Sequence, residues 1–223
     1  MLATAISGTL QGIHAMPVQV EVNTGEQGEP KAFLVGLPDA AVKESLDRVW
    51  SALHNSGFRA PATKTTINLA PGHLHKTGPL FDLPIALALL VATGQLKADR
   101  LDTYLIAGEL SLSGKTRATN GGLALALLAR KMGKSGVLLP PATAEEAALV
   151  EDVPVHPVSS LDEAARFLSG EKFITRLDPA TSPFRRPPDT LHHADFSEVK
   201  GQHGLRRARP RFQERRHYPH LDR

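Results

Sequence analysis

The stretch DLPIALALLVATG, Asp82 to Gly94, limits the possible folds more than any other part of the chain. Beyond Asp82 it carries no charge, and its aliphatic residues fall on every face of a 3.6-residue helix, so no side of it can be given to water. It is also shorter than the ~20 residues needed to cross a bilayer. Such a helix must be enclosed by protein, with strands on one side and other helices around it. Asp82 is expected as its N-cap and Pro84 in its first turn, where a missing N–H matters least. At 223 residues, 41% of them apolar, the chain can bury one core of this kind and leave a tail over.

The segments around this helix supply the strands. Alternating apolar residues predict strands at roughly Leu2–Leu10, Pro17–Thr24 (Val18, Val20 and Val22 on one face) and Lys31–Leu37. After Pro38-Asp39 the period changes: Val42, Leu46, Val49 and Leu53 predict a helix closed by Gly57 at C′. TKTTINLAP, Thr63 to Pro71, reads as a strand, and TYLIAGELSLSGKTRAT as strand, turn and strand. NGGLALALLARKMG reads as a second buried helix capped by Asn120. Two capping boxes, Thr143-x-x-Glu146 and Ser160-x-x-Glu163, announce two further helices around VPVHPV. The expected fold is an α/β sandwich over residues 1–170. A Pro-rich, aperiodic linker is expected over 171–194, and an unfolded end over 195–223, where apolar residues are too few to form a core.

Cysteine is absent, which excludes a disulfide framework, a thiol nucleophile and Cys-based zinc sites. The N-terminus has neither a basic region nor a continuous apolar run, so a soluble cytoplasmic protein without membrane contact is expected. The net charge of +3 is uneven: His203 to Arg223 holds seven arginines against Glu214 and Asp222, which leaves the rest slightly acidic.

Each candidate for chemistry has a plainer reading beside it. GELSLSGKT, Gly108 to Thr116, nearly spells the phosphate loop G-x-x-x-x-G-K-[ST], but one residue too many separates Gly108 from Gly114, and a strand follows instead of a helix. A hairpin turn at Ser113-Gly114-Lys115 is expected instead. His73 and His75 could start a metal site, but nothing in the sequence selects a third ligand, and His192-His193 falls in the linker. Asp82 as a general base is weaker than Asp82 as a cap. For nucleic acid, Lys43, Arg48, Arg59 and Lys64 offer a sparse footprint, and Arg206, Arg207, Arg209 and Arg211 a denser one in the tail.

HKTGPLFDLPIALALLVATGQ, IAGELSLSGKTRATNGGLALALLARKMGKSGVLLP and VHPVSSLDEAARFL together resemble the proteolytic domain of Lon proteases, a fold shared with the second domain of ribosomal protein S5. In that family a G-P-S-A-G loop carries the nucleophilic Ser, and a Lys shortly after G-G-L acts as its base. The resemblance places Leu80 at the Ser position and Ala126 at the Lys position, so neither half of a dyad remains. A peptidase using Ser56, Ser113, Thr65 or Thr66 would need a base and an oxyanion hole that no local spacing supplies.

A longer resemblance runs from VEVNTGEQ through VGLPDAAVKESLDRV and NLAP to FDLPIA, and covers about residues 1–170. These motifs are similar to the start of the YifB/ComM family of magnesium-chelatase-like AAA+ proteins. It implies a non-proteolytic Lon-like domain ahead of an ATPase module, in hexameric proteins linked to DNA branch migration during natural transformation. DFSEVKGQ, Asp195 to Gln202, resembles the first line of that module, but the HGLRRARPRFQERRHYPHLDR that follows holds no phosphate loop. Truncation, through a frameshift near Gln202, is the expected reason. ATP and Mg are accordingly expected only in full-length family members. The resemblance implies a non-catalytic accessory or assembly domain that forms homo-oligomers and binds DNA weakly, with a nucleic-acid-binding arm in the tail as the alternative.

Overall fold

Residues 1–26 and 29–185 are described by the structure, a computed structural model. The chain opens with a long antiparallel hairpin, β1 (Leu2–Gln11) and β2 (His14–Glu26), followed by β3 (Ala32–Val35) and α1 (Ala40–Asn55). β4 (Lys64–Ala70) then leads through a 3₁₀ turn at Pro79–Phe81 into α2 (Asp82–Ala92). Next come β5 (Tyr104–Ile106), a small ribbon of β6 (Glu109–Leu110) and β7 (Thr116–Arg117), and α3 (Gly122–Lys131). β8 (Gly136–Leu139), α4 (Pro141–Ala147), β9 (Val155–Pro157) and α5 (Leu161–Leu168) complete the fold. Seven strands form one mixed sheet in the order β3-β4-β2-β1-β5-β8-β9, and helices flank it in the expected α/β sandwich.

The hairpin register explains why α2 has no polar face. Val18, Val20 and Val22 pair with Ser7, Ala5 and Ala3, so one face of the sheet is lined by small or β-branched residues. The C-terminal end of α2 is tied to that face, where the Thr24 hydroxyl donates to the Ala92 carbonyl at 3.0 Å. Every α2 residue from Asp82 to Leu90 is buried, and each fully enclosed Leu or Ile contributes about 1.5–3 kcal/mol. On the opposite face α3 lies so close to β1 that a Cβ at Gly8 would stand 2.9 Å from the Leu125 side chain. A larger residue there would make the Leu125 and Leu128 side chains shift. α3 is not enclosed as α2 is, because Leu123 and Leu127 on its outer side stay exposed.

Four expectations about ends and boundaries are corrected. Asp82 does not cap α2: the N-cap is Phe81, with no side-chain bond, and Asp82 stands inside the first turn. Asn120 does not cap α3; Gly121 does, in a left-handed conformation at φ 87°. Thr143 and Glu146 form no capping box, since Thr143 exchanges hydrogen bonds with the backbone of Thr119 and Glu146 accepts from the Gly122 N–H at 2.9 Å. Those bonds fasten α4 to the start of α3. Ser160 does cap α5, accepting from the Glu163 N–H at 3.1 Å.

The fourth correction concerns the expected end at residue 170, because the compact unit runs to Arg185. Ile174 is buried, its carbonyl meets the His156 ring at 3.0 Å, and the Leu177 N–H donates to the Val155 carbonyl at 2.8 Å. The first part of the expected linker thus covers the β9 edge of the sheet. Residues 186–223 lie outside the described residues, and with them His192, His193, Arg206, Arg207, Arg209 and Arg211. Among the described residues no helix is long and apolar enough to cross a membrane.

Candidate functional site

The turn that delivers the chain into α2 is held from two sides, by Asp39 and by Gly108. Gly78 adopts φ 80° and ψ 170°, a conformation that favours glycine, and Pro79 starts the single 3₁₀ turn. The Asp39 carboxylate caps α1 through the Val42 N–H at 2.8 Å and with its other oxygen accepts from the Gly78 N–H at 3.1 Å. The Gly108 N–H donates to the Leu80 carbonyl at 2.9 Å, and the Leu83 N–H returns to the Gly108 carbonyl at 3.0 Å. These bonds aim the turn at a cleft of ≈ 440 Å³ whose wall includes Thr77, Gly78, Leu80, Glu109, Thr119 and Asn120.

The geometry is that of a loop presenting a side chain to a cleft, and the side chain presented is a leucine. Leu80 is 5% exposed and has no nucleophilic atom. Ala126 is wholly buried in α3 and does not line the cleft. Two amides of the turn are engaged locally, Gly78 N–H by Asp39 and Asp82 N–H by the Pro79 carbonyl. The alternative hydroxyls fare no better. Ser113 shares a hydrogen bond with Ser111 and the Thr65 hydroxyl donates to the Thr63 carbonyl, which brings neither of them a base.

Asp82 has a role that sequence reading missed. Its carboxylate is wholly buried and accepts from Arg48 Nε at 2.7 Å and Arg48 Nη2 at 3.1 Å, while the Leu110 N–H donates to it at 3.1 Å. The same guanidinium reaches the Ser45 hydroxyl and the Ala41 carbonyl. One carboxylate thereby joins α1, α2 and β6. Burial pushes the Asp82 carboxyl up, against the donation from Arg48, Ser45 and Leu110; its hydrogen bond to Arg48 holds the guanidinium proton more firmly. The sequence signal was the helical spacing that puts Ser45 and Arg48 on one side of α1.

Lys76, just before the turn, is buried as well. Its ammonium donates to the Pro71 carbonyl, and no carboxylate pairs with it among the described residues. Burial lowers its pKa from the ordinary lysine value. A depressed folded-state value means that the unfolded chain binds the proton more tightly, so stability rises as pH climbs through that value toward about 10.4. The wild type should therefore gain stability relative to Lys76→Met as pH rises toward about 10.4. Paired denaturant melts check this, and a difference that stays constant with pH would contradict it.

The remaining candidates do not converge. Lys43 is exposed on α1 and Arg59 in the loop before β4, Arg48 is committed to Asp82, and Lys64 lies over the Phe33 ring at 5.9 Å. His73 and His75 are exposed, and no group of three possible metal ligands gathers among the described residues. GELSLSGKT is the expected hairpin: β6 pairs with β7, and Ser111 N–H donates to the Lys115 carbonyl at 2.8 Å.

Comparison with known proteins fixes the lineage. The model of a family described as subunit ChlI of Mg-chelatase matches residues 20–143, more than half of the chain. The chain belongs to that family. Its relatives there include the uncharacterized protein YifB of Escherichia coli, 40% identical over 191 residues, which is 86% of this chain and 36% of that protein. The competence protein ComM of Haemophilus influenzae is 36% identical over 210 residues, 93% of this chain and 40% of that protein. The chain thus spans about two fifths of the relatives it matches. The family match covers the cleft lining from Thr77 to Asn120 and both members of the Arg48–Asp82 pair.

Proposed function

We propose that this chain is a non-catalytic, Lon-like accessory domain that packs subunits together in a ComM-type protein, with ATP-driven work on branched DNA residing outside it. The observation that carries the reading is the cleft whose presenting residue is the buried Leu80. The competence protein among the relatives supports the link to natural transformation. Subunit packing is supported by an apolar patch where Ile13 and Met16 of the hairpin meet Leu127 of α3 around one groove. Ile13 is 86% and Leu127 40% exposed, an arrangement that a second copy would cover.

Sedimentation of the full chain tests this. Self-association is expected, and Leu127→Glu should abolish it by placing a charge in the apolar patch; a monomer at every concentration would contradict the assembly role. In the same preparation, DNA binding should be weak and lost near physiological salt, as counterion release gives a log–log slope of about −0.9 per phosphate contact. A preference for branched DNA that survives physiological salt would make the domain a recognition module instead.

A further inference from the structure

The two edges of the sheet are treated differently. The β9 edge is covered by the segment from Ile174 to Leu177, whereas β3, the opposite edge, carries Phe33 at 41% and Val35 at 45% exposure, with Leu37 at 45% just beyond its end. The register of β3 on β4 sets Ala32 opposite Thr65, whose N–H donates to the Lys31 carbonyl at 2.9 Å. In a parallel ladder this turns the backbone groups of Phe33 and Val35 toward β4 and those of Ala32 and Leu34 outward. The strand ends abruptly, because Gly36 at φ 102° packs so close to β4 that a Cβ would stand 2.1 Å from the Leu69 carbonyl oxygen.

Beside this edge lies a cavity of ≈ 340 Å³ walled by Pro30, Lys31, Ala32, Trp50, Pro61 and Thr65. Ala32 and Thr65 belong to the sheet face that carries α1, so the cavity opens where an additional strand would direct alternate side chains. The residues between would lie against Phe33 and Val35. The charged residues lining the two cavities are basic: Lys31 lines this one and Arg59 its neighbour, which shares Ala60, Pro61 and Thr63 and is also lined by Met1. Lys31 lies over the Phe33 ring at 5.6 Å, which sets an ammonium at the start of the edge.

We propose that β3 receives an extended acidic peptide of a partner protein as an eighth strand, with one apolar side chain seated against Trp50. Main-chain bonds to Ala32 and Leu34 supply affinity, the Trp50 cavity selects the anchor, and Lys31 with Arg59 selects for acidic flanks. This surface is separate from the hairpin–α3 patch and does not depend on the role proposed for that patch.

The test uses the full chain, whose single tryptophan is Trp50. Three probes are titrated: an octapeptide library alternating Thr with varied apolar residues between acidic ends, the same library with Lys ends, and an oligothymidine of about fifteen nucleotides. Saturable binding of the acidic library with a shift in Trp50 emission is expected, at least about tenfold tighter than the Lys-ended library. Ala32→Pro, which removes an outward N–H, and Lys31→Glu, which leaves the backbone intact, should each weaken it by about tenfold. Absence of saturable binding, equal binding of both libraries, indifference to Lys31→Glu in a folded variant, preference for the oligothymidine, or a dimer that occludes β3 would each overturn the proposal.

Discussion

Asp82→Ala is expected to destabilise the domain by about 3 kcal/mol, the low end for breaking a buried ion pair, because Arg48 keeps some contact with water. Its side chain is 21% exposed, against 0% for Asp82. The substitution removes the acceptor for two guanidinium bonds and for the Leu110 N–H, so a cation and a backbone donor lose their partner together. For a domain of this size that corresponds to a fall in Tm of roughly 6–12 °C. The double variant Arg48→Met with Asp82→Leu should lose less than Asp82→Ala alone, since an apolar pair leaves no charge uncompensated. Thermal melts of the three proteins decide it. If the double variant is the least stable, the pair contributes net stability and the reasoning from desolvation fails.

Phe81→Ala should be at least as damaging, at about 3–5 kcal/mol, because Phe81 is wholly enclosed beside Leu80 and its removal leaves a large void. The substitution returns a small residue to the position that the Lon-type loop keeps small, so it also asks whether the turn can close without its aromatic anchor. Besides its hydrogen bonds to Asp39 and Gly108 the turn is held by the packing of Leu80 and Phe81, and an alanine would leave Leu80 as its large core contact. Equilibrium denaturation measures the loss; a change below about 1 kcal/mol would mean that the site collapses around the void.

The parts of the fold that could be read from the sequence are those fixed by periodicity. The valine alternation of β2 and the unbroken apolar character of α2 each permit one environment, and both elements stand where the pattern set them. Helix ends were less legible, because Asp, Asn and Thr can satisfy backbone donors at a cap or reach distant partners equally well. Asp82 turned to Arg48, which lies 34 residues away in sequence, and Glu146 turned to Gly122, 24 residues away. No local pattern encodes such partners. The packing of Ile174 and Leu177 was hidden for a related reason: isolated apolar residues in a polar stretch show no period, and their value lies in the sheet edge they cover. Leu80 and Ala126 were legible only through the Lon resemblance, and the structure adds that one faces the cleft wall while the other is sealed inside α3.

Leucine stands in the cleft wall where the Lon-type loop carries its serine, and the most direct test of an inert cleft is to expose the full chain to a fluorophosphonate label and to fluorescent casein in parallel. No label should be incorporated and casein should stay intact over hours, because Leu80 carries no hydroxyl and the Gly78 amide is already engaged by Asp39. The variant Leu80→Ser with Ala126→Lys should be equally inactive, since Phe81 and Asp82 occupy the positions that the oxyanion geometry needs small. Covalent labelling of a serine or threonine in the wild-type chain, accompanied by casein fragments that the label suppresses, would show that the domain is a peptidase after all.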